Sequence, residues 1–226
     1  MINSIDSNVV IAVANPMDYS HKTAVKSVQE LEELMILLNV FTESKATILK
    51  KYNKALAKSL VEIRKIKAER SSILFGKLVV QSLEKIKKNN SELEGFIDLV
   101  YSQLRTCENQ QDIASSISRL NVFGTALIKS LVEILRNENS DIEFYEPTDE
   151  FNEMHLTIYN MIAGAYFQDR NDKVIYVDCM TLTQIENKPL TFHTFDDEFC
   201  KTAKSTTKAL PQKYSKLVEF NKLKTK

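Results

Sequence analysis

Cysteine is scarce in this chain and poorly arranged for chemistry. Cys107, Cys179 and Cys200 are widely spaced, odd in number and form no CxxC pair. That excludes a disulfide framework and a cysteine-based zinc site. The three histidines, His21, His155 and His193, also lack metal-ligand spacing. Long apolar runs are missing, and a membrane-spanning helix needs about 18 or more such residues. No basic segment of the signal-peptide kind precedes Asp6, which itself interrupts the N-terminal stretch. A cytoplasmic protein with no membrane partner is therefore expected. Proline is absent between positions 44 and 136, and only Gly76, Gly95 and Gly124 occur there. A stretch so poor in breakers is expected to be helical.

Net charge is zero over 226 residues, but it is unevenly spread. Between Lys45 and Asn90 there are 13 Lys and Arg against Glu62, Glu69 and Glu84. From Lys201 onward eight Lys face Glu219, whereas Ser140 to Glu153 holds six acids and no base. Two basic segments in a neutral chain suit local contact with a polyanion, and equally suit a solvated helix face.

The apolar pattern predicts alternating elements at both ends. Residues 2–6 form a short strand ending at Asp6, followed by an apolar stretch to Ala14 and a turn at Asn15-Pro16-Met17-Asp18. Ser20 caps a helix through Val25, Val28, Leu31 and Leu34. Residues 35–40 have strand length, and Thr42 caps the next helix, which carries Glu43. Residues 44–136 form three or four helices with breaks near 87–90 and 109–111. A polar connection at 137–149 leads to a helix over 150–167. The β-branched run Lys173 to Val177 predicts a strand ending at Asp178, then a short helix over 180–186. Residues 189–194 form another strand, and Asp196 or Asp197 caps the last helix. The tail from Pro211 is a basic amphipathic helix at most. This alternation predicts an α/β fold with a parallel sheet, whose ligands sit beyond the carboxyl ends of the strands.

Asp6 stands out because an unpaired carboxylate beside a buried strand is costly. Ile5-Asp6-Ser7-Asn8-Val9-Val10-Ile11, with the later His21-Lys22-Thr23-Ala24, resembles the opening of a PIN domain. Val177-Asp178-Cys179 and the later Thr194-Phe195-Asp196-Asp197-Glu198-Phe199, with Asp178 and Asp196 18 residues apart, are similar to that family's closing pair. Glu43, in Phe41-Thr42-Glu43-Ser44, sits where the family has a glutamate after its second strand. The resemblance covers residues 1 to about 50 and about 145 to 205.

The resemblance implies a three-layer α/β/α domain with a central parallel sheet, formed by 1–50 and 141–210. A helical insertion at 51–140 and a basic tail at 211–226 lie outside it. It also implies a nuclease, chiefly an endoribonuclease, with Asp6, Glu43, Asp178 and Asp196 around a shared Mg²⁺ or Mn²⁺. Asn8 and Thr194 would orient those ligands, and Asp197 stands as an alternative to Asp196. Hard cations prefer such oxygen donors, at about 2.0–2.1 Å for Mg²⁺. Lys50, Lys51, Lys54 and Lys58 are candidate RNA contacts. RNA, an antitoxin or processing partner, and a second copy of the chain are the implied partners, in a toxin–antitoxin or RNA-processing role. A non-catalytic scaffold and a structure-specific DNA nuclease are the competing readings.

Overall fold

The structure, a computed structural model, describes residues 1–67, 71–215 and 217–224. Glu69 and Arg70 of the first basic segment, and Lys216 and Lys226 of the tail, lie outside the described residues. The chain forms two compact units. Unit one comprises 1–11, 23–44 and 135–226, and unit two comprises 12–22 and 45–134. No described helix is long and apolar enough to cross a membrane.

Unit one is α/β. Strand β1 (Ile2–Ile5) runs into helix α1 (Ser7–Ala14), and α2 (His21–Glu30) precedes β2 (Met35–Leu37). Helix α3 (Leu38–Ile63) begins in this unit. After the helices of unit two come β3 (Glu143–Tyr145), α8 (Asp149–Met161), α9 (Arg170–Glu186), β4 (Leu190–Thr194), α10 (Asp197–Ala209), α11 (Gln212–Ser215) and β5 (Val218–Lys222). Strands β1, β4 and β5 pair in parallel, as do β2 and β3. A parallel bridge between Asn3 and Leu34 joins the two sets, so the strands lie in the order β3-β2-β1-β4-β5. The Asn3 N–H donates to Glu33 O at 3.1 Å and its side-chain amide to Glu32 O at 2.6 Å. The order reverses between β1 and β4, and that reversal is where an open parallel sheet leaves a crevice for a ligand.

The expected parallel sheet is present, but several elements differ. The run Lys173 to Val177 is helical, inside α9. Asp169 starts this helix by accepting the Asn171 N–H at 2.8 Å, and Asn187 ends it in the left-handed conformation (φ 49°). Residues 175–183 are buried without a break. A helix covered on every side shows no 3.6-residue apolar period, so its sequence imitates a strand. Residues 35–40 divide into three residues of β2 and the first turn of α3, which therefore starts before Thr42. The polar connection hides β3, and the tail supplies β5, whose one buried side chain is Phe220. A charged strand with a single inward apolar residue is typical of a sheet edge.

The core of unit one is an aromatic cluster. Tyr176 of α9 stacks on Phe220 of β5 at 5.5 Å, and Phe199 of α10 meets both Phe192 of β4 and Phe220. Phe167 closes the cluster against Tyr176 at 5.2 Å. These contacts hold α9 and α10 against the β4–β5 side of the sheet.

Unit two is helical. It contains the remainder of α3, then α4 (Ser72–Asn89), a 3₁₀ turn (Ser91–Leu93), α5 (Glu94–Leu104), α6 (Gln110–Lys129) and the start of α7 (Leu131–Glu138). Ser71 caps α4 and Asn109 caps α6 through their side-chain oxygens. Tyr52 is fully buried and donates to Leu120 O at 2.8 Å. The close packing of α6 over its ring requires Gly124: a Cβ there would lie 2.6 Å from Tyr52 Cδ1. Gly76 in α4 has nothing within 4 Å of such a Cβ. Gly124→Ala should therefore destabilise by about 1–3 kcal/mol through overpacking. Gly76→Ala should stabilise by roughly 0.5–1 kcal/mol through helix propensity. Urea unfolding of both variants checks the pair, and equal shifts would contradict this packing.

Candidate functional site

Asp6 lies where β1 passes into α1. Its N–H donates to His193 O of β4 at 2.9 Å, and its carbonyl accepts the first helical N–H bonds of α1, from Val9 and Val10. The residue is thereby fixed at the carboxyl end of β1, beside the strand-order reversal. Its side chain is 8% exposed. Oδ1 accepts the Ser7 N–H at 2.7 Å, and Oδ2 accepts both the Asn8 amide and the Thr194 hydroxyl at 2.7 Å.

Thr194 has no freedom in this arrangement. Its oxygen receives Asn8 Nδ2 at 3.2 Å and the Asp196 N–H at 2.8 Å. With both acceptor positions used, its proton goes to Asp6. Asn8 closes the loop by accepting the Phe195 N–H at 3.2 Å. Asn8 and Thr194 therefore orient the Asp6 carboxylate.

Three further acids act on this end of the sheet. Burial pushes the Asp6 carboxyl up to about 6 against the hydrogen bonds from Thr194 and Ser7, and the charges of Glu43 and Asp196 push the same way. Asp172 is pushed up to about 7, first by burial and then by Asp6, Asp196, Asp169 and Glu43. Asp6 and Asp172 thus both lie in the field of Glu43 and Asp196, and Asp172 also in that of Asp169. Glu43 Oε2 is buried and has no hydrogen-bond partner among the described residues. Asp196 is exposed and caps α10 by accepting the Phe199 N–H at 2.9 Å. Among the described residues, no three His, Cys, Asp or Glu side chains are arranged closely enough to form a ready-made metal cage.

On α9, Asp172 lies in the field of Asp6, whereas Asp178 is held by hydrogen bonding. The two are six residues apart, about 9 Å along the helix and on different faces. Asp178 instead accepts the Asn39 amide at 2.7 Å, and His155 Nε2 lies 3.2 Å from its other oxygen without hydrogen-bond alignment. Asn39 and Glu43 are four residues apart on α3, so Asp178 braces the helix face that carries Glu43. The sequence signal for Asp172 was its spacing from Asp169. An aspartate cap followed three residues later by an acid marks a helix start.

Asp197 is engaged elsewhere, with Lys201 at 2.5 Å and Lys222 of β5 at 3.0 Å, which hold its pKa below the usual value. His193 bridges the sheet between Asn3 and Asn221 at 3.2 Å, and His21 binds Ala12 O at 2.8 Å. All three cysteines are free. Burial raises the Cys179 thiol far above its ordinary range, so it is no nucleophile. Lys50, Lys51, Lys54 and Lys58 lie on α3 in unit two, where Lys54 pairs with Glu92 at 3.1 Å.

The raised carboxyls have a consequence for stability. From about pH 4 to 7 the folded chain holds protons on Asp6 and Asp172 that the unfolded chain has released. The stabilising contribution is complete at low pH and is lost as pH rises through the folded values. In metal-free buffer, Asp172→Asn should gain on the wild type between about pH 4 and 7 and then level off. Urea midpoints across that range measure it, and a pH-independent difference would mean that Asp172 does not share a field with the other acids. Comparison of the chain with family models, curated proteins and solved structures found no match.

Proposed function

We propose that the chain is a metal-dependent endoribonuclease built on a PIN-like three-layer α/β/α domain. The observation that carries this reading is the group of four repelling carboxylates at the carboxyl ends of β1 and β4, where the strand order reverses. Such a group is hostile to a phosphodiester until a cation offsets its charge. The donors are all oxygen, and one buried Glu43 oxygen lacks a partner, which suits a hard divalent ion such as Mg²⁺ or Mn²⁺. Mg²⁺ keeps several waters and is held by one or two carboxylates plus substrate phosphates, so a closed protein cage is not required.

Asp6, Glu43, Asp172 and Asp196 would hold the ion in this reading. When bound, it supplies Lewis acidity and charge neutralisation for hydrolysis of a phosphodiester. Asn8 and Thr194 keep the Asp6 oxygens aimed, and the Asp178–Asn39 contact keeps Glu43 on its face. Lys50, Lys51 and Lys58 are candidates for phosphate contact in unit two. A toxin or an RNA-processing role, an antitoxin partner and a homodimer all fit this chemistry.

Asp6→Asn and Asp172→Asn should reduce Mn²⁺-dependent cleavage of single-stranded RNA to background, and weaken Mn²⁺ binding measured by calorimetry. Thr194→Val should lower activity by roughly 10–100-fold, as removal of a ligand-orienting partner does. Asp178→Asn should instead lower the unfolding midpoint and leave cleavage measurable. Carboxylate-dependent ion binding without cleavage of any nucleic acid would favour a scaffold. Preference for flap or nicked DNA over RNA would favour a DNA nuclease. Full activity in Asp172→Asn would sink the assignment of the fourth acid.

A further inference from the structure

A cavity of about 360 Å³ adjoins the acid group within unit one. It lies between the loop joining α8 to α9 and the first turns of α10. Phe167 and Phe199, both members of the aromatic core, line its apolar side. Tyr166, Gln168, Lys201 and Thr202 line the rest, with Glu198 and Asp172 as its acids. Its volume falls near the lower end of small-ligand clefts, which run from roughly 300 to 1,000 Å³. Asp172 belongs to the cavity and also shares the field of Asp6, Glu43 and Asp196. A group bound in the cavity would therefore sit next to whatever the acid site engages.

Tyr166 is the unusual feature. It is 83% exposed, and among the described residues its ring makes no aromatic contact. A large planar ring exposed at the edge of a cavity can serve as a stacking platform. Base–aromatic stacking is tolerant of sequence because every base has a π-face. Gln168 offers both a donor and an acceptor to a base edge. Glu198 adds an acceptor, while Lys201 is already paired with Asp197. The polar side of the cavity is thus rich in acceptors, which match exocyclic amino groups.

We propose that this cavity is a nucleobase subsite, in which Tyr166 stacks on a base and Gln168 and Glu198 read its edge. It takes the base of a nucleotide flanking the phosphate at the acid site, and favours adenine or cytosine over uracil. The identity of the ligand rests on the nuclease reading, but the binding does not require the metal or the reaction.

The experiment titrates the intact metal-free protein with adenosine, cytidine and uridine at millimolar concentration, followed by heteronuclear NMR. Saturating shifts confined to residues 166–172 and 198–202 are expected, stronger for adenosine and cytidine than for uridine. Tyr166→Ala should weaken binding on the order of ten-fold, and Tyr166→Phe should preserve it, because stacking rather than the hydroxyl supplies the affinity. The exposure of Tyr166 makes both variants safe for folding. Absence of shifts at these residues, or equal binding by Tyr166→Ala, overturns the subsite. Shifts here in a protein that cleaves no RNA would uphold the subsite and count against the nuclease reading. Cleavage with no nucleoside shift would do the reverse.

Discussion

Two hydrogen bonds on one oxygen join the ends of this chain: Asn8 and Thr194, 186 residues apart, both donate to Asp6 Oδ2. Much of unit one depends on that meeting. It requires β4 to lie beside β1 in the register that pairs Ile5 with His193, and it requires α1 to begin at once after Asp6. The Thr194 hydroxyl is polarised toward Asp6 by the donors on its other side, so the local geometry has a single solution. The carboxylate is nonetheless held at a cost. A rise from 3.8 to about 6 corresponds to about 3 kcal/mol against the charged form. A fold that simply needed to be stable would place an apolar or neutral side chain there. Burial is the larger part of that cost, and the charges of Glu43 and Asp196 add to it.

The layout of unit one explains why these acids come together from distant positions. Asp6 ends β1 and Asp196 follows β4, the two strands that flank the order reversal. Glu43 rides on the helix after β2, and Asp172 on the helix before β4. Each is delivered by an element whose own packing is apolar. Phe192, Phe199, Phe220 and Tyr176 hold α9 and α10 on the sheet, and Asp178 with Asn39 ties α9 to α3. Polar residues that touch no ligand thus position those that would.

The sequence of α9 imitates a strand. Val174, Ile175, Tyr176 and Val177 are strong strand formers, and a strand there would end on Asp178. Burial on all sides removes the periodicity that distinguishes a helix, and tertiary context outweighs intrinsic preference. Counting the helix from its Asp169 cap places Asp172 in its first turn. The C-terminal strand was hidden for the opposite reason: β5 has so little apolar content that only its pairing with β4 defines it.

Local residues alone determined the strand-to-helix junction at Asp6, the strand and cap at Leu190 to Asp196, and the helical nature of the long proline-free block. Those features follow from short-range chemistry: apolar runs, capping side chains and the absence of breakers. The tertiary structure decided that Asp172 lies in the field of Asp6, that lysines pair with Asp197, and that the basic tail completes the sheet. Those outcomes depend on helix phase and strand neighbours. Both are properties of how elements pack, and the single helix α9 carries Asp172 in its first turn and Asp178 in its buried middle.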